Sequence, residues 1–305
     1  MSIRVLLLAT LIPLRVASAD TPAAAPAPAE PAPAAATPAA PADPTPAAAP
    51  ADAAPTPPPP GALTLRAGAF QIAATFELEA SANKVGKPFS LAPDLSYGVT
   101  SDLTVAVLHS KYALTGFRAA AGGALCLAGS ENGCAAVYNN VGGEAWYTLA
   151  RGPATAAIVA GVHAVDLDRG FYDVKLGAKA RYTAGALAII TQPSVLIAAS
   201  KRTDDAGARL NKDLLYVPIV ATYKVAPPIA LGLGTGIKGP LSGFGDAWQI
   251  PLGFLVQYTV SPALGCGASW VFGQLLGGAT NPPDPAPAVK GPDLRGVQVW
   301  ASYTL

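Results

Sequence analysis

Charged side chains recur at alternate positions of Tyr172–Tyr182. Asp173, Lys175, Lys179 and Arg181 hold odd positions, and Tyr172, Val174, Leu176, Ala178, Ala180 and Tyr182 hold the even ones. Successive side chains of a strand point to opposite faces, so one face of this stretch is apolar and the other ionic. The same alternation puts Glu77, Glu79, Asp94, Glu144 and Lys224 on the polar faces of their own segments. Ionic groups arrayed like this have two uses. Separated, they line a water-filled path and orient small polar solutes; brought together, they pair across an interior as a salt-bridge network. Five acids against four bases leave little net field in either case.

Other residue types that could do chemistry point away from an enzyme. His109 is followed directly by Ser110, so on a strand the two face opposite ways and do not form a base–hydroxyl pair. His163 has no hydroxyl or carboxylate near it on the same face of its segment. The run Gly232–Gly239 imitates a phosphate-binding loop, but Pro240, Gly243 and Gly245 follow where a helix would have to begin. Its glycines suit strands that bend or make room. Three cysteines and two histidines show no metal-ligand spacing, and no cofactor is expected. Cys126 and Cys134 fall in one loop, where an oxidising compartment would join them in a ring worth about 2–3 kcal/mol. Cys266 falls on the apolar parity of its segment and reads as a small packing residue.

The elements that position these groups follow from composition. The chain is 51% hydrophobic and 13% charged, against roughly 25% charged in ordinary soluble domains. No uninterrupted apolar run reaches the length of about 18 residues that a membrane-crossing helix needs. A chain that enters lipid without such helices must close its strands into a barrel, because lipid satisfies no backbone hydrogen bond. Eleven residues with a tyrosine near each end match a tilted membrane strand. Turning Lys175, Lys179 and Arg181 towards lipid would cost about 2–4 kcal/mol each at mid-membrane, so the ionic face points inward. A net charge of +1 gives no reason to expect nucleic acid.

Residues 1–19 read as a secretory signal peptide: Arg4, an apolar core Val5–Leu14, and Ala17-Ser18-Ala19 before the cut. Residues 20–62 are an Ala/Pro-rich linker that cannot bury a core, and its prolines favour extended, disordered chain. It reads as a periplasmic spacer, with contact to the cell wall as the alternative. Residues 63–305 alternate strand patterns with breaks. The strands are Ala69–Ala80, Phe89–Val99, Leu103–Lys111, Ala135–Leu149, Thr155–Val165, Tyr172–Tyr182, Leu187–Ala199, Leu215–Lys224, Ile229–Ile237, Trp248–Tyr258, Leu264–Phe272 and Val297–Leu305. Pro193 predicts a bulge in the seventh. The facing of the fifth is open, because both its faces are small or apolar. Lys238 opens a loop in this reading. Short breaks near 100–102, 150–153, 183–185, 226–228 and 261–262 alternate with mostly longer ones, which carry a slight excess of basic residues. The expected fold is all-β, a twelve-stranded antiparallel transmembrane β-barrel.

An even strand number, with short turns at one end and longer loops at the other, resembles the bacterial outer-membrane β-barrel superfamily over about residues 63–305. The final Val297-Gln298-Val299-Trp300-Ala301-Ser302-Tyr303-Thr304-Leu305 is similar to the terminal signal read by the barrel-assembly machinery. The resemblance implies an outer-membrane location, contact with membrane lipid and lipopolysaccharide, and a periplasmic arm. Twelve strands lie between eight, where side chains fill the interior, and sixteen, where a wide channel opens. The expected function is a narrow passive channel for small solutes. The alternative is a closed structural barrel that anchors the arm or displays loops.

Overall fold

A computed structural model describes residues 62–81, 85–110, 124–134, 136–203, 205, 207, 211–278 and 295–305. The signal-peptide reading, nearly all of the Ala/Pro linker, and much of the third-to-fourth and last connections lie outside these residues. Twelve strands build the wall: β1 (Phe70–Glu79), β2 (Phe89–Gly98), β3 (Leu103–Leu108), β4 (Val141–Ala150), β5 (Ala154–Asp166), β6 (Phe171–Ala184), β7 in two pieces (Leu187–Thr191 and Ser194–Ala198), β8 (Leu214–Ala226), β9 (Ile229–Pro240), β10 (Gln249–Thr259), β11 (Leu264–Gly277) and β12 (Arg295–Thr304). Each pairs antiparallel with its neighbours in sequence. The ring closes where β1 meets β12 in a register running from Gln71↔Thr304 to Glu79↔Gly296. Closure leaves no sheet edge unpaired, which is the condition for a sheet to stand in lipid. The expected twelve-stranded barrel is the observed one.

Burial alternates along the strands as the pleat requires. In β1, Ile72 and Phe76 are exposed on the outside while Thr75, Glu77 and Glu79 are buried inside. The register also aligns residues that sequence order scatters. Tyr97, Tyr147, Tyr182, Tyr223, Tyr258 and Tyr303 stand near the ends of β2, β4, β6, β8, β10 and β12, just before the short turns or the C-terminus. All face outward and are 45–55% exposed. One tyrosine on every second strand, all at the short-turn end, forms the aromatic girdle of a membrane interface.

Several boundaries differ from the sequence reading. Strand β4 begins at Val141; the residues before it form a loop tied by the bridge Leu125↔Tyr138. Strand β9 runs on to Pro240, so Lys238 is a strand residue, paired with inward Tyr216, and not the start of a loop. Pro193 makes no bulge. Ala180↔Thr191 and Gly177↔Ser194 lie three residues apart on both strands, so the register passes through the gap unshifted. The Pro193 carbonyl still accepts from the Ala178 amide at 3.0 Å, so the ladder loses only donors. The facing of β5, open in the sequence, is settled: Thr155, Ala157, Val159, Gly161 and His163 point inward.

Candidate functional site: the lumen wall

The centre of the lumen wall is one register row. Glu144 of β4 pairs with Gly161 of β5, and Gly161 pairs with Lys175 of β6. Gly161 carries no side chain, so the two ions meet above it: Lys175 Nζ donates to Glu144 Oε1 at 2.7 Å, both side chains fully buried. A Cβ added at Gly161 would sit 2.8 Å from Glu144 Cγ. Trp146 Nε1 donates to Glu144 Oε2 at 2.7 Å. His163 Nε2 lies 3.1 Å from Glu144 Oε1 without a hydrogen-bonding angle. Its ring fills the place of a side chain at its register partner Gly142, where a Cβ would overlap it. The acid is thus surrounded by three groups that favour its charged form, which a buried carboxylate requires.

Among the described residues, the remaining inward charges named from the sequence are held mainly by hydrogen bonds and not by the salt-bridge network across the lumen that five acids against four bases suggested. Asp173 Oδ1 accepts from Asn211 Nδ2 at 2.8 Å, and Asn211 also donates to the carbonyls of Tyr172 and Ser200. Asp94 Oδ1 accepts the backbone amides of His109 and Ser110 at 2.6 and 2.9 Å. Glu79 accepts from Ser81. Glu77 and Ser269 both meet Gln298, which braces β1, β11 and β12 from inside. Lys179 Nζ sits 4.2 Å over the Trp146 ring, a cation–π contact in place of an ion pair. Arg181 faces inward two residues further on, and its buried Nε has no hydrogen-bond partner. Lys224 keeps the inward parity of β8 but stands exposed at the rim, because β8 ends two residues later. Sequence reasoning missed Gln298, Asn211 and inward Trp300. Only Trp300 left a signal: Gly267, its register partner, leaves the space the indole fills.

Both mouths are shaped by non-strand chain. At the short-turn end, residues 63–68 cross the inner wall of β2–β4. Thr64 Oγ1 donates to the Ser101 carbonyl at 2.8 Å and lies 3.0 Å from Thr148 Oγ1; the Leu65 amide donates to Thr104 Oγ1 at 2.8 Å. Gly98 is required beneath this segment, since a Cβ there would overlap the Arg66 carbonyl. At the loop end, Arg202 Nη2 donates to Asp213 Oδ2 at 2.6 Å. Arg202, Thr203, Asn211, Lys212, Asp213 and Ser242 line a cavity of about 410 Å³ there. Cys126 and Cys134 form a disulfide in the loop between β3 and β4. Cys266 is free, half-buried and outward-facing on β11. The glycine-rich run Gly232–Gly239 lies wholly within β9 and so is strand, not a phosphate-binding loop. His109 Nε2 is 2.8 Å from the Tyr138 hydroxyl.

The chain matches no family model and no curated protein. Among solved structures it is similar to the NanC porin, with a TM-score of 0.53 and 11% identity over 77% of this chain and 100% of that one. It is also similar to the KdgM porin in complex with disordered oligogalacturonate (TM-score 0.47, 8% identity, 76% of this chain and 98% of that one). A third is an outer membrane channel from Pseudomonas putida F1 (TM-score 0.47, 13% identity, 81% and 99%). With the closed antiparallel ring, the apolar outer face and the tyrosine girdle, the first of these shows the class of fold: a closed twelve-stranded antiparallel β-barrel built like that of the NanC porin.

Proposed function

We propose that the chain is a narrow passive channel for small solutes in a bacterial outer membrane. The observation that carries this reading is the uneven filling of the lumen. Inward residues of β2–β5 are buried except Asp94, Trp146, Gly161 and Val165, whereas β8 and β10–β12 mix buried Tyr216, Pro218, Pro251, Ser269 and Gln298 with inward Val220, Thr222, Leu255, Val271 and Trp300 that keep solvent access. One side of the interior is packed and the other is partly wetted, which leaves a restricted path beside the packed side. The short-turn end faces the periplasm in this reading, as the short turns of such barrels do, and residues 63–68, which follow the Ala/Pro stretch in sequence, lie at that mouth. Membrane lipid and lipopolysaccharide surround the girdled wall, and the last strand, with Tyr303, is what the assembly machinery would read. The channel has no catalytic role: His163 is committed to packing beside Glu144, and His109 to Tyr138. Purified protein in planar bilayers is expected to give discrete conductance steps. Current no greater than background would favour the closed structural barrel instead.

A further inference from the structure

The inward charges are sorted along the barrel axis. Towards the loop end stand Glu77 and Glu79 in the last three positions of β1, Asp173 in the third position of β6, and Glu144 at mid-wall. Asp94, sixth of the ten residues of β2, stands at mid-wall with Glu144, its carboxylate on the His109 and Ser110 amides just past the end of the short β3. Two bases share that half: Lys175, held on Glu144, and Lys238, two residues before β9 ends. Towards the short-turn end stand Lys179 and Arg181, five and three residues before β6 ends, and Lys224, two before β8 ends. Among the described residues no acid faces inward in that half, and none of these three bases makes an ion pair. Glu79, Asp94 and Asp173 are held by neutral donors, so hydrogen bonding satisfies their oxygens without cancelling their charge. The exposed pairs Arg151–Asp102 and Arg202–Asp213 cancel themselves at the two mouths.

We propose that this arrangement makes the lumen a bipolar path that rectifies ion flow, an inference that rests on the channel reading above. A charged wall of low dielectric concentrates counter-ions in the water beside it. The acidic half gathers mobile cations and the basic half mobile anions. A potential positive at the loop end drives both populations towards the junction near Glu144, where carriers accumulate and current rises. The opposite potential draws both away, the junction is depleted, and current falls. The effect needs a lumen no wider than the screening length, about 10 Å at 0.1 M salt and about 3 Å at 1 M. A twelve-stranded barrel with one packed side meets that condition at the lower salt.

Single-channel recording in symmetric KCl tests the proposal, with orientation fixed by a bulky thiol reagent added to one side of a Ser101→Cys variant. At ±100 mV in 0.1 M KCl the two currents should differ by about twofold or more, larger when the loop end is positive, and should converge in 1 M KCl as screening shortens. The triple variant Lys179→Gln, Arg181→Gln, Lys224→Gln should conduct with a nearly linear current–voltage curve and shift the reversal potential in a KCl gradient towards cation preference. A linear curve for the native protein in 0.1 M KCl, or rectification unchanged in the triple variant, overturns the proposal while leaving the channel intact. Absence of any current overturns the channel reading itself, and this inference with it.

Discussion

The arc of wall from β2 to β6 and the arc from β8 to β11 both carry inward glycines, but only the second leaves any of them facing open space. In the first arc each glycine is a slot for a neighbour: Gly142 lies under the His163 ring, and Gly161 lies under the Glu144–Lys175 pair. In the second, Gly267 is likewise a slot, for Trp300, but Gly234 faces open space, its nearest contact from an added Cβ being Val220 Cγ2 at 3.8 Å. A missing side chain therefore tightens the wall at Gly142, Gly161 and Gly267 and hollows it at Gly234. The consequence of a glycine is set by whether a long side chain stands in the adjacent register position. Beside Gly142, Gly161 and Gly267 one does, and the wall there is closely packed; beside Gly234 none does, and space is left open.

This contrast can be broken most severely at Lys175. Replacing it with Ala leaves Glu144 buried without its main counter-charge, and should cost about 3–5 kcal/mol in urea unfolding from detergent. Adding Glu144→Ala should recover much of that loss, because the unpaired charge is then gone; failure to recover would mean that Lys175 packs and does not neutralise. Gly161→Ala comes next. The Cβ displaces the ion pair, with an expected destabilisation of about 1–3 kcal/mol and single-channel conductance little changed. The mildest effect on stability is expected in the other arc. Gly234→Leu has room for its side chain, so unfolding should shift by less than about 1.5 kcal/mol, while conductance should fall clearly in the same bilayer recordings. If Gly161→Ala narrowed the channel and Gly234→Leu did not, the assignment of packed and open arcs would be reversed.

How much of this was legible in the chain depends on how sharply each position is judged by its surroundings. The strand pattern of β6 could be read at once, because lipid on one side and water or ions on the other penalise any exchange of faces by several kcal/mol. The facing of β5 could not. Its inward Ala157, Val159 and Gly161 need no polarity of their own, since Glu144, Lys175 and Trp146 from the flanking strands supply it. Pro193 misled for a related reason: a proline forfeits a donor, but its carbonyl still serves the ladder, so the strand is interrupted without changing register. Lys238 read as loop because a lysine beside Gly239 and Pro240 carries turn composition, whereas pairing with Tyr216 keeps it in the wall.

Local alternation, strand count and the placement of short turns came from the chain alone, since each depends on neighbours within a few residues and on the solvent either side of a sheet. Which charges meet came from elsewhere. Glu144 and Lys175 are 31 positions apart and touch only because two registers, set by the closing of the whole ring, bring them over the same glycine. The level tyrosine girdle and the sorting of acids from bases along the axis are likewise properties of strand stagger. Stagger is fixed when β1 meets β12, a contact between residues more than 200 positions apart.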